Sequence, residues 1–424
     1  MIKRDFYLNK LIRNMWNGEV KVITGLRRCG KSVLLFELFY EYLLTDGIKD
    51  EQILRIALDQ RKFYKYRNPI ALCEYVESIV TANKRKKYYL LIDEVQFTNK
   101  VIDEENGGVE VTIYDMLNEL KAYKNLDVYV TGSNSKMLSK DIATEFRGRA
   151  TQIHIQPLSF KEFYSYVGGD KRDALENYML YGGMPRVAKT EDEAEKKAYL
   201  SKLYDELYIK DIVERNSLKR EDILNTVLDF VASQIGSLTN PTNIANALTS
   251  MRHEKISPSI VSSYITYAMD AFLLDMAKRY DVKGKTYFNY PNKYYYVDLG
   301  LRNARLNYRQ YDPGHIMENI VYNELIMRGF SVDVGVVTQR DNGKKAQREI
   351  DFVVNDGDKR VYIQSAFQMN TEQKQDTELL SLKLTGDFFK KIIMRADISH
   401  NFYDDDGVFH CSLIDFLLDE AELF

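Results

Sequence analysis

The sequence predicts an α/β chain: a parallel-sheet core first, then a helical stretch, a segment of short helices with a strand pair, and a mixed α/β C-terminal part. Three observations carry this. Five short apolar runs alternate with amphipathic helical patterns up to residue 155, the rhythm of a parallel sheet with right-handed crossovers. A glycine-rich octad joins the first run to the first crossover. After Pro157 helical periodicity takes over, and mixed α and β patterns return near residue 312.

In chain order, residues 1–18 space Phe6, Leu8, Leu11, Ile12 and Met15 as a short amphipathic helix. EVKVIT (19–24) reads as a buried strand, followed by GLRRCGKS and a helix from Lys31 to about Leu44. ILRIAL (53–58), YYLLID (88–93), DVYVTG (127–132) and TQIHI (151–155) supply four further strands. Helices ALCEYVESIVTANKRKK and TIYDMLNELKAY lie between them, the first with a solvated basic end at 84–87. From about Phe160 to Ser217 the pattern is helical, interrupted at YGGMP (181–185). The C-terminal part reads as the helix HIMENIVYNELIMRG followed by strands SVDVGVVT, REIDFVV, RVYIQSAF and KIIMRA.

Composition narrows the classes of function. With 59 Lys+Arg against 62 Asp+Glu the formal net charge is -3, which excludes a strongly basic, histone-like binder but leaves room for a local basic patch. Cys29, Cys73 and Cys411 are too sparse and scattered for a disulfide framework or a zinc site, so a reducing, cytoplasmic setting is expected. The N-terminus has no signal-peptide pattern, and no run approaches the ~18 apolar residues of a membrane span. The 31 tyrosines are read chiefly as half-buried packing residues.

Gly25-Leu26-Arg27-Arg28-Cys29-Gly30-Lys31-Ser32 fits G-x-x-x-x-G-K-[ST], between a strand and a helix as that motif requires. Glycines let the backbone N–H groups curl toward phosphates, and the helix N-terminus adds a positive dipole end. Lys31 would reach the β- and γ-phosphates of ATP, Ser32 would offer its hydroxyl to Mg²⁺, and Val33 would complete the binding stretch. The acidic pair Asp93-Glu94 ends the third strand: Asp93 would hold Mg²⁺ and Glu94 would serve as general base for the attacking water. Gln96 is either an assistant at the site or a loop residue. After the fourth strand, Ser133 and Asn134 are both candidates to bond the water or the γ-phosphate, or simply cap the next helix. In Glu145-Phe146-Arg147-Gly148-Arg149, Arg149 is favoured over Arg147 as an arginine acting in trans on a neighbour's nucleotide, which would imply a homo-oligomer. The alternative is two exposed arginines in a turn.

GLRRCGKS, YYLLIDEVQ, YVTGSNSKML, FRGRATQIHIQPLSFKEF and YGGMPRVAK, in that order, resemble a group of bacterial and archaeal AAA-type ATPases whose C-terminal half is a domain of unknown function. The resemblance is strong over about residues 1–220 and looser beyond. It implies an AAA-like P-loop ATPase core (1–165), a helical lid (166–219), a winged-helix segment (220–305) and a restriction-endonuclease-like domain (306–424). It supplies no substrate.

In the middle segment, short helices and the pair AKRYD and TYFNYPNKYYYVD make a winged helix plausible. Its second helix presents Ser257, Ser259, Ser262, Ser263 and Tyr264 as DNA-contact candidates, with Arg252, His253 and Lys255 just before it. No Arg or Lys follows up to Lys278, although bidentate guanine reading needs one. In the C-terminal part, Glu318, Asp351 and Gln364 follow the order of a nuclease-like acidic centre. Gln364 stands where a second acid would sit and Ala366 where a lysine would, so the expectation is a nuclease-like fold without nuclease chemistry. Glu318, Asp351 and Gln364 would then form either a weak metal or phosphate site or a structural hydrogen-bond network.

Two main readings remain open. One is a DNA-associated ATPase that couples Mg-ATP turnover to movement of C-terminal modules on double-stranded DNA. The other is a nucleotide-driven switch acting on a protein partner in signalling or defence. A third, an ATP-dependent nuclease, would need Asp351 to work without its usual companions.

Overall fold

The structure, a computed structural model, describes residues 1–104, 107–132, 150–341 and 344–424. These fall into two compact units: Met1–Gln156 with Asp270–Phe272, and Pro157–Met269 with Leu273–Phe424.

The first unit is built on five strands: β1 Val20–Gly25, β2 Ile53–Ala57, β3 Tyr88–Asp93, β4 Leu126–Thr131 and β5 Ala150–Ile155. They lie in the order β2-β3-β4-β1-β5, every pair parallel. Residues of β1, β3 and β4 are buried at every position, as central parallel strands covered on both faces must be. Edge strand β2 exposes Arg55, whose guanidinium lies 3.7 Å from the Tyr40 ring centre. From β1 the chain crosses to β2 on one side; from β4 it reaches β5 on the other. The carboxyl end of β1 is therefore a topological switch point, where open α/β sheets leave a crevice for ligands.

Helix α1 (Asp5–Arg13) precedes β1. Helix α2 follows it without a break from 31 to 45, its middle turns (Leu34–Phe39) π-helical. Helices α3 (Pro69–Ala82) and α4 (Ile113–Leu120) set Leu72, Val76, Met116 and Leu117 against Val22, Leu90, Ile92 and Val128 of the sheet. Helix α3 stops at Ala82, short of the basic run: Asn83 leaves helical geometry and its side chain accepts the Arg85 N–H, a local turn that competes with another helical turn. Lys84, Arg85, Lys86 and Lys87 are exposed, in agreement with a solvated segment. Between β1 and β4, Lys21 and Asp127 form an ion pair with Lys21 fully out of solvent.

The second unit starts with helices Phe160–Val167, Lys171–Tyr181, Pro185–Ala188, Glu193–Leu203 and Lys210–Asn216. The break at 182–184 has a steric cause. Gly182 adopts φ +73°, and a Cβ there would lie 2.4 Å from Asp298 Oδ1, while Gly183 donates its N–H to Asp298 Oδ2 at 2.8 Å. Helices α5 (Glu221–Ser233), α6 (Pro241–Arg252) and α7 (Pro258–Asp270) follow, capped where expected by Asn240 with Pro241 in the first turn of α6. Strands β6 (Leu274–Ala277), β7 (Arg279–Asp281), β8 (Thr286–Tyr287) and β9 (Lys293–Tyr296) come next.

These four strands are shared between two sheets. Among the described residues β6 pairs antiparallel only with β9, and Thr239 bridges Asn292 at its border. β7 and β8 instead form the edge of an eight-stranded sheet with β10 (Ser331–Asp341), β11 (Lys344–Asp356), β12 (Lys359–Ala366), β13 (Lys390–Arg395), β14 (Phe402–Tyr403) and β15 (Phe409–Ser412). Its order is β8-β7-β10-β11-β12-β13-β15-β14. Helix α8 (Pro313–Met327) packs on β10, β11 and β12. Among the described residues no helix is long and apolar enough to cross a membrane.

Candidate nucleotide site

The glycine-rich octad leaves β1 at the switch point. Gly25 has φ +142°, and a Cβ there would stand 2.2 Å from the carbonyl oxygen of Ile155 on β5, so only glycine fits. Arg28 (φ +64°) and Gly30 (φ +106°) carry the loop through the left-handed region. Such turns aim consecutive N–H groups at one point and form an anion-binding concavity. Leu26 and Cys29 are buried beneath the loop, Arg27 is half-buried, and Arg28 and Val33 are exposed. Lys31 is 4% exposed, and its Nζ donates to the carbonyls of Gly25 and Leu26, each at 3.0 Å.

Across the crevice, Asp93 ends β3 and Glu94 follows it. The Asp93 carboxylate accepts a hydrogen bond from the Thr131 hydroxyl, with the Ser32 side chain close by. Burial pushes this carboxyl above the usual aspartate range, and the neighbouring Thr131 and Ser32 hydroxyls oppose the shift. Glu94 takes a left-handed backbone (φ +59°, ψ 53°), uncommon for a residue other than glycine. Its N–H donates to Thr131 Oγ1 at 3.0 Å, and the Gln96 amide donates to its carboxylate. Gln96 thus stands at the site. Thr131, which the sequence pattern passed over, ties the end of β4 to both acids. The donor set suits a hard divalent cation: a Ser32 hydroxyl and an Asp93 carboxylate are both oxygen ligands at the carboxyl end of the sheet.

Two further residues escaped the sequence reading. Arg4 is 4% exposed, and its guanidinium donates to the carbonyls of Cys29 (2.9 Å) and Gln156 (2.7 Å), bracing the loop from below. His154 on β5 contacts Thr24 Oγ1 through Nδ1 at 3.1 Å; burial, with Lys31 and Lys10 nearby, pushes its imidazole down to about 4, so it is neutral at pH 7. Neither carries a motif. Ser133, Asn134, Glu145, Arg147 and Arg149 lie outside the described residues.

In the second unit, four of the DNA-contact candidates, Arg252, Ser257, Ser259 and Tyr264, are committed within the chain, while His253, Lys255 and Ser263 are exposed. Arg252 bonds Asp222 and Thr226, Arg220 bridges Asp222 and Glu254, Ser257 and Ser259 bond each other, and Tyr264 is buried. Glu318, Asp351 and Gln364 are brought together, as their order suggested. Asp351 Oδ2 accepts the Ser365 N–H at 2.8 Å, and Gln364 bonds the Asp351 N–H at 2.7 Å and Glu378 at 2.6 Å. Ala366 is buried in the core, yet the centre does not lack a lysine: Lys293 enters it from β9.

Comparison with known proteins gives the family. An AAA domain family matches residues 17–164, and two domains of unknown function, DUF8612 and DUF4143, match 172–312 and 313–412. An uncharacterized protein of Haemophilus influenzae is 35% identical over 426 residues, covering 99% of each chain. The chain belongs to this family of AAA-domain proteins with C-terminal domains of unknown function. A second family relative, the uncharacterized protein MJ1544 of Methanocaldococcus jannaschii, is 29% identical over 88% of this chain and 79% of its own. Among solved structures, the Walker-type ATPase PABY2304 of Pyrococcus abyssi aligns with a TM-score of 0.48 at 15% identity, over 72% of this chain and 96% of that one. The Aeropyrum pernix ORC1 protein, solved in complex with DNA, aligns with a TM-score of 0.29 at 11% identity, over 72% and 93%.

Proposed function

We propose that the chain hydrolyses ATP and uses the turnover to change the conformation of C-terminal modules that engage double-stranded DNA. The observation that carries the first half is the placing of the phosphate loop and the acidic pair at the same end of one parallel sheet, with Thr131 bonding Asp93 and fixing the backbone of Glu94. In this reading phosphate oxygens replace the Gly25 and Leu26 carbonyls as acceptors for Lys31. Ser32 and Asp93 would hold Mg²⁺, which supplies charge neutralisation at the phosphates. The Glu94 carboxylate takes the proton of the attacking water, and Gln96 orients that carboxylate. Arg149 would act on a neighbouring copy's nucleotide in a homo-oligomer, with Ser133 or Asn134 bonding the γ-phosphate. Nuclease chemistry is not part of the proposal.

For the second half, the order α5, the Thr239–Asn292 bridge, α6, α7 and the β6–β9 pair supports a winged-helix reading of the middle segment. A protein-directed switch is the second reading. It is favoured by α7, which carries no Arg or Lys, and by Arg252 and Arg220, whose charges are spent on Asp222 and Glu254.

ATP turnover by the pure protein, with and without duplex DNA and with Glu94→Gln as blank, tests both halves. Glu94→Gln should turn over at least about 100-fold more slowly while still binding ATP; undiminished turnover rejects Glu94 as the base. Stimulation by DNA that weakens steeply with salt supports the DNA reading, because phosphate contacts release counterions. Equal turnover in both conditions moves the target to a protein.

A further inference from the structure

The acidic centre of the eight-stranded sheet contains a cation supplied by the chain itself. Lys293 lies on β9, outside that sheet, and is 2% exposed. Its Nζ stands 2.7 Å from Glu318 Oε1, 2.7 Å from Glu349 Oε1 and 3.3 Å from Asp351 Oδ1. The ammonium donates hydrogen bonds to Glu318 and Asp351, and the Glu349 carboxylate completes the ion cluster around it. Tyr295, two residues along the same strand, donates its hydroxyl to Glu318 Oε1 at 2.6 Å. Burial alone would lower the Lys293 pKa, but Glu318, Asp351 and Glu349 together hold it above the usual lysine range. A buried lysine that stays charged among three carboxylates is committed to them and is not placed to stabilise hydroxide or polarise a substrate. The oxygens that converge on it are the kind that bind hard divalent cations.

We propose that the Lys293 ammonium permanently fills the cation seat of this centre. The centre is thus an internal ion cluster that fastens β9 to α8 and β11, and it takes a divalent metal only when Lys293 is removed. The arrangement accounts for the departures at Gln364 and Ala366. With the cation built in, the third strand needs neither another acid nor a lysine, and Gln364 serves as a neutral link between the Asp351 backbone and Glu378.

The test is a Mn²⁺ titration of the full chain without nucleotide, with free Mn²⁺ read by electron paramagnetic resonance. Wild type should bind the same amount of Mn²⁺ as Asp351→Asn. Lys293→Met should gain about one equivalent, lost again in the Lys293→Met/Asp351→Asn pair, as expected for an emptied site of oxygen ligands. Wild-type binding that disappears in Asp351→Asn overturns the proposal, as does a folded Lys293→Met protein that gains no Mn²⁺. If Lys293→Met fails to fold, Lys293→Met/Glu349→Gln removes one charge of each sign and must gain the site. The wild-type arm stands whether or not either variant folds.

Discussion

The guanidinium of Arg4 donates a hydrogen bond to the carbonyl oxygen of Cys29, 2.9 Å away and in the middle of the phosphate loop. Its second terminal nitrogen donates to the Gln156 carbonyl at 2.7 Å, just past β5, and the Tyr7 hydroxyl accepts the Gln156 N–H at 3.0 Å. The segment before β1 is thus a strut between the loop and the edge strand. Arg4→Ala should lose two charge-assisted bonds to carbonyls, each typically about 1.5–3 kcal/mol. The expected result is ATP binding weakened by about tenfold or more, read with a fluorescent nucleotide. Arg4→Lys should restore only part of it, because a single ammonium lacks the rigid fork that spans both carbonyls. Unchanged affinity in Arg4→Ala would show that the loop holds its shape without the strut.

Thr131 connects two strands at the site in a different way. Its hydroxyl donates to Asp93 and accepts from the Glu94 N–H. Thr131→Val keeps the shape and removes both bonds, leaving a buried carboxylate with one fewer donor and a backbone N–H without its acceptor. Each such loss costs about 1–3 kcal/mol. The expected effect is on kcat, roughly tenfold or more, with a small effect on KM, since the acids rather than the phosphate loop are displaced. Thr131→Ser should recover most of the rate. A variant that changes KM alone would place Thr131 in binding instead.

The contrast between the octad and its supports shows what the sequence could reveal. Gly25, Gly30, Lys31 and Ser32 are spaced by the local geometry of one turn, so a motif records them. Arg4 meets Cys29 and Gln156, and Thr131 meets Asp93 and Glu94, only because segments distant in sequence lie side by side, which periodicity does not encode. The same holds in the second unit. TYFNYPNKYYYVD read as one strand of a pair, but it splits into β8 and β9 in different sheets, and Lys293 gave no sign of the acids it meets 25, 56 and 58 residues later. Strand β7 followed β6 in the same apolar pattern, yet it pairs with β10, because a single residue, Lys278, separates strands that belong to different sheets.

Lys21 and Asp127 make the sheet itself testable. Their ion pair is buried between β1 and β4, and Asp127 also accepts the Tyr129 hydroxyl at 2.8 Å and the Trp16 N–H at 3.0 Å. Breaking a buried pair from one side leaves an uncompensated charge and costs about 3–5 kcal/mol. Asp127→Ala and Lys21→Met should each lower the stability measured by urea unfolding by an amount in that range. Lys21→Met/Asp127→Leu, with both charges gone, should be more stable than either single variant. A double variant as unstable as the sum of the two would mean that packing, not charge, sets the cost.

Glu324 supplies a pH dependence whose sign is fixed by its surroundings. It is buried on α8 and pairs with Arg328 at 2.8 Å, yet burial outweighs that partner and pushes its carboxyl up to about 7. A carboxyl whose pKa is higher in the folded chain than in the unfolded one holds a proton that the unfolded chain has released. Stability from this group is therefore full below the unfolded value, near about 4.3, falls as pH rises toward 7, and levels off above that. The expected loss across this window is on the order of 3 kcal/mol, since each tenfold change in proton affinity between the two states is worth about 1.4 kcal/mol. Glu324→Gln cannot ionise, so its urea midpoint should decline less between about pH 4.5 and 7 than that of wild type. The two proteins should differ most near about pH 8, where the variant is the more stable. Parallel profiles would mean that Arg328 keeps Glu324 ionised throughout and that the pair, rather than the proton, satisfies the buried carboxyl.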